Sequence, residues 1–334
     1  MESAQERPHF SIGGCLQAVA RWPRSHSPML DPTESVIIAT FGMALGIFGF
    51  TATARKFLGG KSASAAPLES TLSDEESPYT APAHGDFSPL LPAGRVPVDF
   101  YQPLDLLGLG VIFLVFFSLV VGSVRASAGK DEMALTVDSL VSSIGFQFVS
   151  AGIVTAFVIR RVRPVEWLGL RWTGWRWVFL IAPGSVLSMW AFFSGLEATG
   201  FMRWIDSLGV ERVQETVKIL QKSTNPQIIS LMAIAAVIAA PLCEEIVFRG
   251  YLYAAAKRFA GPWAAGICSA LVFAAAHGSL AALLPLFVFG CLLVFIYERT
   301  GSLWAPIAVH FCFNGATVVI QLAARHYQID LGAP

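Results

Sequence analysis

Eight stretches of mostly apolar residues dominate this chain, at roughly 36–54, 104–124, 138–159, 177–197, 228–248, 263–281, 283–297 and 303–323. About twenty apolar residues is the length at which a helix crosses the hydrocarbon core of a bilayer. Within that core the backbone must satisfy its own hydrogen bonds, which leaves helices or a closed barrel. Runs of this length predict helices, and so an all-α, polytopic transmembrane helix bundle of about eight spans. The seventh run is short and follows the sixth across the Pro285 region, which suggests a tight hairpin or a tilted segment. Composition agrees: 14% of the 334 residues are charged, where soluble domains carry about 25%. A formal net charge of zero argues against a nucleic-acid partner, which would want a basic face.

The polar segments divide the chain. Residues 1–35 form a polar N-terminal tail without an apolar h-region, so no cleavable signal peptide is expected there. The first transmembrane helix, 36–54, is followed by a 55–100 linker rich in Ser, Ala, Pro and acid, which lacks the apolar area needed to order itself. The first helix therefore reads as an appendage loosely tied to a body over 101–325, with its motif core at 240–320. Val210, Val213, Val217 and Leu220 fall on one face of an amphipathic helix between the fourth and fifth spans. Its plain reading is a connecting helix on the membrane surface; the sharper one is a lid over a site. Arg160, Arg161, Arg163, Arg171 and Arg176 cluster after the third span, which places that loop in the cytoplasm by the positive-inside rule.

The fifth run breaks the apolar pattern. Glu244, Glu245 and Arg249 fall within six residues of it. Each charge at the bilayer centre costs ~2.5–3.5 kcal/mol on insertion scales. Glu245 and Arg249 are i,i+4 neighbours and can pair, while Glu244 points elsewhere. A carboxylate in an apolar pocket has a raised pKa, which suits a general base. The plain alternative is a structural ion pair at a helix end, with Pro241 opening the ladder beside it. His277 and His310 follow at intervals of 33 residues, in the next and the last apolar runs. His277 reads either as a hydrogen-bonded helix terminus or as a group holding a water against Glu244. His310 and Asn314 are i,i+4, and their imidazole and amide donors together suit a developing oxyanion. The competing reading is an ordinary interhelical contact. Three helices each offering inward-capable polar groups weaken the structural readings taken together. Glu298 and Arg299 read as interfacial. None of the five cysteines forms a C-x-x-C pair, so neither a thiolate zinc site nor a redox pair is signalled. No H-E-x-x-H is present, which excludes a soluble-type zincin.

The ordered set Glu244-Glu245-x-x-x-Arg249, Phe273-x-x-x-His277 and Gly301-Ser-Leu-Trp-Ala-Pro-Ile-Ala-Val-His310-x-x-x-Asn314 resembles the CPBP family. These are the type II CAAX prenyl endopeptidases and their bacterial, Abi-like relatives linked to bacteriocin processing and immunity. Trp167-Leu-Gly-Leu-Arg171 is also similar to that family's loop. The resemblance covers roughly 135–325. It implies an intramembrane endopeptidase of the bacterial inner membrane that hydrolyses a membrane-associated protein or peptide, prenylated in one version, through an activated water. Glu244 matches the catalytic glutamate, His277 the histidine that helps activate water, and His310 with Asn314 the oxyanion-stabilising pair. Glu245 and Arg249 are assigned to orientation. Two versions stay open: zinc held by Glu244, His277 and His310, or no metal. The rival readings are a non-proteolytic immunity or scaffold protein, and a proton-coupled transporter, for which buried Glu and His are also typical.

Overall fold

Long apolar helices joined by capped turns make up the computed structural model, which describes residues 32–59, 96–127, 136–208, 220–221 and 223–328. The order is α1 (Pro32–Gly59), α2 (Asp105–Ser127), α3 (Val137–Val158), the single turn α4 (Pro164–Trp167), α5 (Val178–Ala198), the short α6 (Phe201–Ser207), α7 (Pro226–Ala260), α8 (Pro262–Ala276), α9 (Leu280–Thr300) and α10 (Trp304–Tyr327). No strand occurs among the described residues. Seven of these helices are long and apolar enough to cross a bilayer, and α8 is a shorter apolar helix. The chain is an all-α integral membrane protein.

Helix starts follow local chemistry. Thr136 and Ser139 close a reciprocal capping box on α3. Asn225 caps α7 with Pro226 at its first position, and Ser279 caps α9. Exposed Trp175, Trp177, Trp263 and Trp304 stand at helix ends, the depth at which aromatic belts form.

Two expectations change. The short member of the last group is α8, with 15 residues, and not the seventh segment: α9 runs 21 residues straight through Pro285. Proline is tolerated inside membrane helices because neighbours re-satisfy the freed backbone groups. The first helix is no loose appendage. It runs four residues earlier and five later than 36–54, and it buries Ile37, Phe41 and Ala44. The Phe41 ring meets Phe113 and Phe117 of α2 edge-on, at 5.4 and 5.5 Å. Cys268 of α8 donates to the Ala44 carbonyl at 3.2 Å, and Arg125 pairs with Glu34. In lipid such association comes from packing and polar contacts and not from expelled water. The expected 210–220 helix lies outside the described residues except for Leu220, as does most of the 55–100 linker.

The interior belongs to α7, α8 and α9. Half of the membrane window of α9 and 39% of that of α7 are buried, against 17–22% for α1, α2, α3, α5 and α10. α8 packs chiefly on α9 and α1, α10 on α5, and α3 along α7. The α9–α10 turn is pinned to the loop after α4: Leu303 N–H donates to the Leu168 carbonyl at 2.9 Å. Gly169, at φ +60°, sits there against the Gly301 carbonyl, where a side chain would clash.

Candidate active site

Helix α7 carries the charged residues and is not a uniform α-helix. Its ladder widens to i→i−5 bonding at Ala235–Ala239 and again at Glu245–Tyr253, with an α-helical turn, Ala240–Glu244, between. Single-turn π segments within α-helices are frequent at functional sites. The first has a covalent cause. Pro241 has no N–H for the Val237 carbonyl, and Ala240 N–H reaches back to Ala235. The Ala236 carbonyl thereby loses its α-helical donor, and Asn314 Nδ2 of α10 supplies one at 2.8 Å.

The second wide segment holds Glu245 and Arg249, both fully buried. Arg249 Nη1 donates to Glu245 Oε1 at 2.9 Å, and His310 Nδ1 donates to the same oxygen at 2.9 Å. Arg249 Nη2 reaches the Gly290 carbonyl of α9 at 3.3 Å. The Arg249 guanidinium also lies 4.3 Å from the centroid of the Phe273 ring. That ring is shared: His277 meets it at 4.8 Å and His310 at 6.0 Å, both edge-on. Phe289 closes the other side of His310 at 5.3 Å. His310 is six residues into α10 and Gly290 ten residues before the end of α9, so at 1.5 Å per residue both lie ~9–15 Å along their helices from the same turn.

The predicted residues are thus divided. Glu245, Arg249 and His310 come together as one buried unit. Glu244 is half-buried beside it with Oε2 lacking any hydrogen-bond partner, and among the described residues no hydrogen bond or ion pair joins it to His277, His310 or Asn314. His277 is exposed at the end of α8, where Nδ1–H donates to its own helix's Phe273 carbonyl at 2.8 Å. A carbonyl only accepts, so His277 Nε2 keeps its lone pair when the ring is neutral. Asn314 spends one amide hydrogen on Ala236 and retains a second. An apolar groove of about 440 Å³ between α3 and α7, lined in part by Leu242, Cys243 and Ile246, flanks the glutamates along the chain.

Among the described residues no group of three His, Cys, Asp or Glu is arranged to hold a metal. Both histidines spend Nδ1, His277 on the Phe273 carbonyl and His310 on Glu245, which leaves Nε2 as the nitrogen either could offer a metal, and among the described residues no hydrogen bond or ion pair brings the Glu244 carboxylate to them. Sequence reasoning passed over Phe273 as a shared platform. It read Glu298 as interfacial; the residue stands two positions from the end of α9, largely buried, and accepts from Tyr253 and Lys257 at 2.6 and 2.5 Å.

Residues 226–316 match the family model described as type II CAAX prenyl endopeptidase Rce1-like. The chain is also 34% identical over 102 residues to a Bacillus subtilis (strain 168) protein named "Putative membrane peptidase YdiL". That stretch is 30% of this chain and 42% of the relative's length. No solved structure matches.

Proposed function

We propose that the protein is an intramembrane endopeptidase that hydrolyses a peptide bond in a membrane-associated protein or peptide, with a prenylated tail as the substrate class nearest the matched family. The observation that carries this reading is the buried Glu245–Arg249–His310 unit, set beside a glutamate with a free carboxylate oxygen, inside the matched segment. Glu244 is the base: it takes a proton from a water whose oxygen attacks the scissile carbonyl. His277 accepts from that water through Nε2. Glu245 is committed to Arg249 and His310 and acts by orientation. His310 works as an imidazolium, with Nδ1–H on Glu245 and Nε2–H on the oxyanion. The second amide hydrogen of Asn314 is the other oxyanion donor. The protonated Glu244 then returns its proton to the departing amine, leaving a carboxylate and an amine. The groove beside α3 offers an apolar path for the substrate's tail.

The test uses purified full-length protein in proteoliposomes with an internally quenched peptide ending in a farnesylated CAAX sequence. Glu244→Gln is expected to lower kcat at least ~10²-fold, the low end for a general base. Folding should hold, because a neutral amide is cheaper to bury than a charge. Full activity in Glu244→Gln would defeat this mechanism. No cleavage by the wild type would favour an immunity or scaffold role.

A further inference from the structure

The second wide segment of α7 also ends in a shift of its ladder. At its end Ala254 N–H bonds to Tyr251 instead of Gly250. The Gly250 carbonyl, one residue beyond Arg249, is taken by two side chains from distant parts of the chain. Tyr101 Oη donates to it at 2.8 Å, and Trp167 Nε1 donates to it at 2.9 Å. The Trp167 N–H is shared, since Tyr101 Oη also accepts from it at 2.8 Å. All three residues are buried. Burial raises the Tyr101 phenol well above its ordinary pKa, so its proton is kept for this bond.

The approach depends on the absence of a side chain. A Cβ at Gly250 would lie 2.9 Å from Leu168 and 3.7 Å from Trp167. The next residue is fixed as well: Tyr251 Oη donates to Asp105 at 3.1 Å, passing over Gly108, where any Cβ would strike the hydroxyl. Residues 250 and 251 are therefore held from the α2–α4 side, and residues 245 and 249 from α8, α9 and α10.

We propose that Tyr101 and Trp167 are positioning residues for the reaction: by sharing the Gly250 carbonyl they hold the wide turn that presents Glu245 and Arg249, and so set the Glu245–His310 contact. This rests on the peptidase reading for its kinetic consequence, but not for its geometric one. Among the described residues no hydrogen bond or ring contact joins either residue to Glu245, Arg249 or His310. They reach the site through the backbone of α7, and Trp167 also through its neighbour Leu168, which accepts from Leu303 N–H at the start of α10; a displacement on the order of 1 Å along these routes costs up to ~10²-fold in rate.

The experiment compares full-length wild type, Tyr101→Phe and Tyr101→Phe/Trp167→Phe. Tyr101→Phe keeps the ring against Phe100 and Tyr251 and removes only the hydroxyl. Four quantities are read: kcat and KM on the farnesylated quenched peptide, the unfolding temperature, and the imidazole NMR signals of His310 in histidine-labelled protein. Expected are a roughly tenfold fall in kcat for Tyr101→Phe, a larger fall for the double variant, an unchanged KM, and a shifted His310 signal. A purely structural role predicts a lower unfolding temperature with kcat and the His310 signal unmoved, and that result overturns the proposal. Should the double variant fail to fold, Tyr101→Phe alone decides. Should wild type leave the peptide intact, the peptidase reading fails for that substrate, while the His310 signal still tests the clamp.

Discussion

Two carboxylate–guanidinium pairs with a fully buried acid touch α7, and they are built to different standards. Asp105 and Arg161, near the membrane surface, form a bidentate pair at 2.5 and 2.8 Å. Both Asp105 oxygens are further satisfied, one by Gln102 N–H at 2.7 Å and one by the Tyr251 hydroxyl. This partner holds the Arg161 guanidinium above its ordinary pKa. Glu245 and Arg249 lie deeper and are fully buried, yet Glu245 uses one oxygen for both partners. Glu245 Oε2 and Arg249 Nε have no hydrogen-bond partner among the described residues. A buried polar atom left unmatched costs ~1–3 kcal/mol, more when charged. The saturated pair fastens helices. The unsaturated pair tolerates an expense that stability alone does not explain, and it is the one beside the free Glu244 carboxylate.

The strongest way to break this contrast is Arg249→Leu. It strands a buried Glu245 charge and should cost about 3–5 kcal/mol, read as a collapse in yield or a large fall in unfolding temperature in detergent. Asp105→Asn should cost less, about 1–3 kcal/mol, because Arg161 is one-fifth exposed and water can take over part of its charge. Equal losses in the two variants would remove the distinction. Arg161→Lys gives up the bidentate fork but keeps the charge at the surface. It should cost under ~1 kcal/mol and leave hydrolysis per folded molecule unchanged; a kinetic effect would extend the working site to this rim.

Much of this was legible in one dimension. The eight helices appear as eight apolar runs, and Glu244, Glu245, Arg249, His277, His310 and Asn314 stand out because charge or amide in an apolar run is costly. Which glutamate His310 takes was not legible, since neighbouring helical residues differ only in direction. The widened turns of α7 that set those directions leave one trace, Pro241. Asp105 and Arg161 were hidden for another reason. An acid and a base at helix ends read as interfacial, and only the fold brings residues 56 apart in sequence to 2.5 Å. The packing of α1 was invisible because lipid-facing and protein-facing phenylalanines look alike in hydropathy; Phe41 is buried and Phe50 is 75% exposed.

The widened turns of α7 also bear on how this helix tolerates insertions and deletions. A π turn is an α-helix carrying one surplus residue. A deletion within Ala235–Ala239 takes out that surplus and lets the residues beyond keep their bearing, whereas a deletion in the α-helical stretch Pro226–Ile234, which has no surplus, leaves the span long and apolar but shifts its register. Beyond that second deletion every side chain would turn by about 100° relative to those before it, at 3.6 residues per turn. Glu245 would move toward the bearing Glu244 now holds, and His310 would meet Ile246 in place of a carboxylate. A lineage could thus lose the reaction through a single in-frame codon deletion that leaves the membrane protein intact, with no site residue altered.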